Sequence, residues 1–591
     1  MRGKAGLFLL GWAMVLLGGL LAYSVQTTGG VTVEDVRYRG AGGEILSALL
    51  YIPPRATIRA PAPAVMVSHG YINTREMQSP FAIELARRGF VVLAIDMAGH
   101  GYSGGAVGAD DGGGPDGLKY LQALPFVDKS NIGLEGHSMG GVPVVGAALA
   151  QPDGYRAMVL EGSTTPNIGQ VGMGTPRFPR NLAVVFGQYD EFAPLMWQAS
   201  KGSAVGASPK LEQLFGAARP VIPGRVYGSI DQGTARLLIN PPITHPMEHF
   251  SAAGVGAAVG WFQNNLAGAA SPKPPGDQIW LWKEVGTLIA LTGFVTLLLG
   301  TFQLLLATPL FADLRQEAAP ARIRRDGRWW LAFALTAAVP ALSFYPLMNA
   351  GFALLPSSVF PEWVTNQLLV WALANGAVSL LLGFALRGGR PAFTRRWGLS
   401  MTIALLCAGM GYLALVVVDA LFKVDFRFWV VGLKLLDSRH FIYWLAYLGP
   451  FVLVFLVMMR SLHANLAVKG ESAAAQYFTA AGALALGFVA LLAAQYASLL
   501  TTGLLINPDQ ALNTIIAIQF APILAVVGLI GAFTYRRTGG YVPGAVICAL
   551  VVTWYIVAGT ATHWSPGWSL PKMTGLYPTR PLVEVGGSPS Q

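Results

Sequence analysis

Charged residues are scarce in this sequence. Asp, Glu, Lys and Arg make up 12% of its 591 positions, where a soluble protein carries about 25%. Together with 53% hydrophobic residues and a mean hydropathy of +0.50, this excludes an ordinary soluble globular chain and predicts a membrane protein. Cysteine is nearly absent. The two present, Cys407 and Cys548, lie inside apolar runs. A disulfide framework and a Cys-based metal site in the polar part are thereby excluded, and both residues read as apolar helix positions. No A-x-A cleavage signal follows the first apolar run, Ala5 to Tyr23, which is preceded by Arg2 and Lys4. That run approaches the ~20 residues needed to span a bilayer. It predicts an uncleaved anchor with a cytoplasmic N-terminus rather than a removed signal peptide. The net charge of +10 would suggest a nucleic-acid partner elsewhere. Here the basic residues flank apolar spans, so they read as topology signals and no nucleic acid is expected.

About eight further runs are long enough to span, near 285–306, 329–347, 363–386, 397–418, 441–459, 477–500, 513–533 and 542–561, so about nine spans in total are predicted. The basic clusters Arg322/Arg324/Arg325/Arg328, Arg387/Arg390/Arg395/Arg396, Arg460/Lys469 and Arg536/Arg537 fall in alternate loops. The intervening loops 356–362 and 507–510 hold no Lys or Arg. This pattern predicts a multi-pass protein of the cell membrane, with the polar segment and the C-terminal tail outside the cytoplasm. The loop from Lys423 to Arg439 dissents, being basic on the wrong side. Its Phe426, Phe428 and Trp429 suggest a segment lying in the membrane interface. Ionisable residues within the spans are few, Asp419 being the main exception, which disfavours an ion-coupled transporter. Eight helices exceed what anchoring needs. A lipid-like substrate presented laterally would explain the excess.

The polar segment alternates strands and helices. Runs 31–38 and 44–53 read as a hairpin. Residues 64–70 and 90–96 read as buried strands flanking a helix from Ser79 to Arg88, the signature of a parallel sheet covered on both faces. Residues 131–135 form a short strand leading into Gly136-His137-Ser138-Met139-Gly140, and a small-residue helix follows from Gly141. That is G-x-S-x-G in strand–turn–helix context, a nucleophile elbow that lifts the serine hydroxyl out at a helix N-terminus. Further strands are read at 157–161, 181–187 and 235–239, then a helix capped by Ser251. The stretch 270–276 is a Pro-rich linker.

Three motifs occur in order: His69-Gly70, Asp96-x-x-Gly99-His100-Gly101-x-Ser103 and Gly136-His137-Ser138-Met139-Gly140-Gly141. On these, residues from about Val31 to Leu266 resemble the α/β-hydrolase superfamily, nearest its dienelactone-hydrolase and acyl-peptidase-like esterase branches. The resemblance implies an α/β fold with a mostly parallel eight-stranded sheet, joined here to an all-α transmembrane domain. It implies Ser138 as nucleophile, Asp190 as acid and His245 as base, in the Ser–Asp–His order of this fold. Glu191 and Glu161 are the alternative acids, and His249 is the alternative base. The backbone N–H groups of Tyr71 and Met139 are the expected oxyanion donors, and the Tyr71 ring is a candidate wall of the acyl pocket. His69, His100 and His137 are expected to shape loops or pack; with Asp96, the first two lack a tetrahedral ligand set, so no metal and no cofactor is expected. The insertion between Asp190 and His245 is apolar and Gly-rich, suited to a cap, a membrane-resting loop or surface decoration.

The expected division is a 1–27 anchor, a 28–268 extracytoplasmic hydrolase domain, a 269–284 linker, a 285–562 membrane domain and a 563–591 tail. The expected function is a membrane-bound serine hydrolase acting on a carboxylic ester, small or lipid-like, with membrane lipids as neighbours. The alternatives are a transporter or membrane-complex subunit with a ligand-binding hydrolase-like domain, and an acyltransferase using the same triad.

Overall fold

The computed structural model of the protein describes residues 5–165, 174–316, 324–386, 396–560 and 562–566. Arg2, Lys4, Arg322, Arg387, Arg390, Arg395 and the tail beyond Pro566 lie outside them. An apolar helix, α1 (Gly6–Gln26), leads into the α/β segment. Its strands are β1 (Thr32–Arg39), β2 (Ile45–Ile52), β3 (Ala62–Ser68), β4 (Val91–Ile95), β5 (Val127–His137), β6 (Ala157–Glu161), β7 (Leu182–Val185), β8 (Val226–Tyr227) and β9 (Arg236–Ile239). They form one nine-stranded sheet in the order β1-β2-β4-β3-β5-β6-β7-β9-β8. Neighbours from β4 to β9 run parallel, while β1 on β2, β2 on β4 and β8 on β9 are antiparallel. The sequence predicts eight strands. The ninth, β8, is two residues long and too short to show a strand period. Every residue of β3, β4 and β6 is buried, as a sheet covered on both faces requires, whereas β1 at the edge has none buried.

Helices α2 (Ser79–Ala86), α3 (Gly114–Ala123), α4 (Gly141–Ala150), α5 (Ala193–Trp197), α6 (Pro209–Phe215) and α7 (Ala252–Asn265) complete the segment. α2 and α7 cover one face of the sheet, and α3 and α4 the other. Ser251 caps α7 by accepting the Gly254 N–H. The insertion carrying α5 and α6 is neither a cap nor surface decoration. Trp197, Leu211, Leu214 and Phe215 sit in the same core as α3 and α4. Lys210, buried in it, donates to Thr164 Oγ1 at 2.6 Å and to the Thr165 and Met196 carbonyls. Its apolar residues serve the core because the sheet continues to β9 and needs a cover there.

The remaining helices are α8 (Trp280–Leu306), α9 (Gly327–Leu342), α10 (Phe344–Gly351), α11 (Trp363–Ala385), α12 (Trp397–Phe422), α13 (Ser438–Leu466), α14 (Ala473–Thr502), α15 (Ala511–Thr538) and α16 (Val542–Trp554). Among the described residues, eight helices are long and apolar enough to span a membrane, α1 among them, and nine if α9 and α10 form one span bent by 43°. The bend follows Pro340, which removes a ladder donor. α1 packs antiparallel on α8 through glycines. A Cβ on Gly11, Gly18, Gly286, Gly293 or Gly300 would collide with the facing backbone, the close approach small residues permit between spans. The chain thus enters and leaves the α/β domain through one helix pair.

The segment from Lys423 to Arg439 does not have the free interfacial placement its sequence suggests. It forms a hairpin, β10 (Phe426–Phe428) and β11 (Val431–Leu433), docked on the α/β domain. Lys434 Nζ lies 2.5 Å from Glu76 Oε2. Arg427 pairs with Asp425 at 2.7 Å and reaches Thr74. Arg439 donates to the Gly101 and Ser103 carbonyls. These basic residues are internal partners, because buried carboxylates require them, and so carry no topology signal. Lys434, Arg75 and Arg427 hold the carboxyl of the half-buried Glu76 well below the usual range. Lys434→Met is expected to destabilise the protein by about 1–3 kcal/mol, because it removes the nearest of the three cations on Glu76 while Arg75 and Arg427 remain. The measurement is chemical denaturation followed by tryptophan fluorescence. Adding Glu76→Gln should restore part of the loss.

Candidate active site

β5 ends at His137, and Ser138 follows with φ 54, a left-handed conformation costly for a non-glycine residue. The turn is possible because of its glycines. A Cβ on Gly136 would strike the Gly140 carbonyl, and one on Gly140 would strike that of Ser68. Gly70 passes over the serine so closely that its own Cβ would stand 2.9 Å from Ser138 Cβ. Ser163 Oγ donates to the Ser138 carbonyl at 2.5 Å and holds the turn from beneath. The hydroxyl therefore projects above the sheet, at the start of α4, where the first N–H groups have no intrahelical acceptor.

The loop after β7 and the loop after β9 converge on it. His245 Nε2 lies 3.0 Å from Ser138 Oγ, and His245 Nδ1 lies 2.8 Å from Asp190 Oδ2. Asp190 Oδ1 accepts the Phe192 N–H at 2.6 Å. The His245 N–H donates to Glu191 Oε2 at 2.8 Å, while Tyr496 Oη of α14 donates to Glu191 Oε1 at 2.8 Å. Glu191 thus grips the backbone of His245 and not its ring. With Nδ1–H directed at Asp190, Nε2 is left with its lone pair toward the serine hydroxyl, the tautomer that can accept a proton from it.

Burial pulls the His245 pKa down, but Asp190, by charge and hydrogen bond, and Glu191 outweigh it, so the ring titrates above its ordinary 6.5. Burial and Asp190 push Glu191 up to about 7. Glu161 ends β6 in the core beside Glu135, and burial raises both well above the usual carboxyl range; the structure does not bring Glu161 to the His245 ring. His249 does not reach Ser138 either. Its Nδ1 is 3.2 Å from His137, its Nε2 accepts Trp429 Nε1–H at 3.2 Å, and burial lowers it to about 3. His137, His245 and Glu248 place one donor atom each within 4.8 Å of one another. Both ring nitrogens of His245 are already engaged by Asp190 and Ser138, so a cation there would have to break that chain.

Tyr71 follows Gly70 in the loop after β3. Among the described residues its N–H has no protein acceptor. Its ring stands edge-on to His100 and Trp564, and its Oη accepts the Trp564 Nε1–H at 3.2 Å. Met139 is buried against Trp363 and Trp564. His69 accepts the Met97 N–H, and His100 Nδ1 stands 3.2 Å from the Ala98 carbonyl. Both imidazoles brace the loops after β3 and β4.

The pocket over Ser138 has a volume of about 50 Å³, and part of its wall comes from outside the α/β segment: Val430 of the hairpin, and Leu512, Ile515 and Gln519 of α15. The sequence offers no local signal for these residues. They sit in runs that read as a loop and a membrane helix, and only tertiary packing sets them above the serine.

Residues 59–189 match the family described as serine aminopeptidase, S33. The protein carries an α/β-hydrolase domain. It is similar to the uncharacterized protein YcjY of Escherichia coli (strain K12), at 30% identity over 135 residues, covering 21% of this chain and 42% of that protein. The chain thus spans less than half the length of this curated relative. A hypothetical protein of Pseudomonas aeruginosa aligns at 17% identity with a TM-score of 0.30, over 41% of this chain and 95% of the other. An esterase of Pyrococcus furiosus aligns at 17% identity with a TM-score of 0.29, over 40% and 92%.

Proposed function

We propose that this protein is a membrane-embedded serine hydrolase that cleaves a carboxylic ester through an acyl-enzyme. The observation that carries the reading is the continuous hydrogen-bond chain from Asp190 through His245 to Ser138 at a left-handed elbow. Ser138 Oγ attacks the ester carbonyl as His245 Nε2 takes its proton. Asp190 fixes the ring and stabilises the imidazolium. The Tyr71 and Met139 N–H groups receive the oxyanion. His245 then protonates the leaving alcohol, and water, activated by the same imidazole, releases the acid.

The domain division is 1–27 anchor, 28–268 hydrolase domain, 269–284 linker, 285–562 membrane domain and 563–591 tail. Arg324 and Arg325 before α9, Lys469 between α13 and α14, and Arg460, Arg536 and Arg537 in the C-terminal halves of α13 and α15 lie toward the end of the bundle away from the α/β domain. By the positive-inside rule that end is cytoplasmic and the hydrolase domain is extracytoplasmic. With the hairpin's charges absorbed in internal pairs, the alternation has no exception.

The base must be neutral to work, so kcat/KM for p-nitrophenyl acetate should fall as pH drops through the His245 pKa. That limb is expected above 6.5, because Asp190 and Glu191 raise this ring. Glu191→Gln removes one of the two acidic neighbours and should move the limb to lower pH. A profile flat from pH 5 to 8, or no turnover above background by the purified full-length protein, would contradict the proposal.

A further inference from the structure

The bundle contains a second, larger space. A cavity of about 120 Å³ is ringed by α9, α11, α13, α14, α15 and α16, with each helix packed on the next around the ring. Its wall is almost wholly apolar, set by residues such as Leu368, Trp371, Phe451, Leu484 and Val527. Among the polar groups on it, Asn375 donates to Ser343 Oγ and to the Trp371 carbonyl, Thr336 Oγ1 donates to the Ala332 carbonyl, and Ser461 Oγ donates to the Ser379 carbonyl. Close-packed interiors hold few voids larger than a water molecule, and apolar cavities stay dry and accept apolar guests.

This space adjoins the catalytic pocket on one helix. Gln519 of α15 lines the pocket over Ser138, and the next residue, Phe520, lines the cavity. Tyr555, just past α16, is hydrogen-bonded through Oη to Gln519 Oε1, and the next residue, Ile556, also faces the cavity. The Gln519–Tyr555 pair and Phe520 thus stand where the linings of the two spaces meet. Pro522 interrupts the α15 ladder three residues beyond Gln519, a place where a helix bends at low cost. From Leu512 to Val527 the lining of the two spaces runs about 22 Å along the helix, at 1.5 Å per residue.

We infer that the bundle cavity is the acyl-chain chamber of the active site, taking the long hydrocarbon tail of a membrane lipid ester whose carbonyl lies at Ser138. This inference rests on the proposed hydrolase reading and assigns its substrate class. The ester enters with its carbonyl in the pocket between Tyr71 and α15, and its tail passes the Gln519–Tyr555 pair into the ring of helices. A short ester fills only the pocket.

The test uses the full-length protein in lipid nanodiscs, its active fraction titrated with a fluorophosphonate. The readout is the ratio of kcat/KM for p-nitrophenyl palmitate to that for p-nitrophenyl acetate. Ala372→Trp and Val527→Trp, which fill the chamber from two sides, should each lower that ratio tenfold or more. Leu381→Trp, of the same added bulk on the exposed face of α11, should leave it unchanged. An unchanged ratio in both filled variants would overturn the chamber while leaving the hydrolase reading intact. If the wild type neither titrates nor turns over acetate, the hydrolase reading fails on its own. The chamber is then decided by photo-crosslinking a diazirine-bearing palmitoyl glycerol ester to Ser138→Ala in nanodiscs. Adducts on cavity-lining peptides of α11 and α15 support it, and adducts confined to bilayer-facing positions such as Leu381 overturn it.

Discussion

Ser138→Ala is expected to lower ester turnover by about 10⁴- to 10⁶-fold while leaving the fold intact. In the proposed mechanism the serine hydroxyl is the group that becomes acylated, and no other described hydroxyl lies on His245 Nε2. Alanine fits the elbow, because it keeps the serine Cβ under Gly70, and the close approaches that shape this turn do not involve the hydroxyl. Loss of the left-handed strain at this position is not expected, since alanine tolerates φ 54 no better than serine. The oxyanion donors survive the change, so a residual rate above the uncatalysed reaction should persist. The comparison is kcat of the purified wild type and variant on p-nitrophenyl acetate, with circular dichroism confirming equal helix content.

Asp190→Asn should cost about 10⁴-fold in kcat. Asp190 accepts the His245 Nδ1–H at 2.8 Å from a fully buried position. An asparagine amide can turn its NH₂ toward Nδ1. The ring then carries its proton on Nε2, the nitrogen that has to accept from Ser138. The neighbouring acids give the contrast. Glu191→Gln keeps an acceptor for the His245 N–H and touches no ring nitrogen, so it should shift the pH profile and reduce kcat far less. Glu161→Gln replaces a carboxyl that lies in the core beside Glu135 and whose pKa burial raises, and it should change kcat by less than about threefold. This follows because Glu161 makes no hydrogen bond to the His245 ring, whose Nδ1 is held by Asp190. A ranking in which Glu161→Gln or Glu191→Gln is the most damaging would move the acid role away from Asp190.

Much of the catalytic domain is legible in the sequence, and the reason is local. β3, β4 and β6 are uninterrupted apolar runs because both of their faces are covered, and the elbow announces itself through glycines that no other residue can replace. The convergence of the β7 and β9 loops on Ser138 follows from the order of the strands once the fold is recognised. Three features were not legible. The insertion before His245 has the composition of a cap, yet Trp197 and Leu214 belong to the core, since composition cannot tell which surface an apolar face will cover. The hairpin from Lys423 to Arg439 reads as a misplaced basic loop, and only its partners Glu76, Gly101 and Ser103, more than three hundred residues away, explain its charge. The contribution of Leu512, Ile515 and Gln519 to the pocket is equally silent. A membrane helix shows its apolar composition but not which of its residues will stand over a serine at the opposite end of the chain.

The architecture that results is a catalytic pocket roofed by the membrane bundle. Tyr496 reaches Glu191, Trp429 reaches His249 and Trp564 reaches Tyr71. These contacts fall on residues beside Ser138, Asp190 and His245. Separating the α/β domain from its helices would remove them.

The most direct measurement is to react the full-length protein with a fluorophosphonate and map the adduct by peptide mass spectrometry. The account predicts one covalent phosphonyl group per chain, on Ser138, formed more slowly as pH falls below the His245 pKa and absent from Ser138→Ala. An adduct on another residue, or labelling of Ser138→Ala equal to that of the wild type, would contradict it.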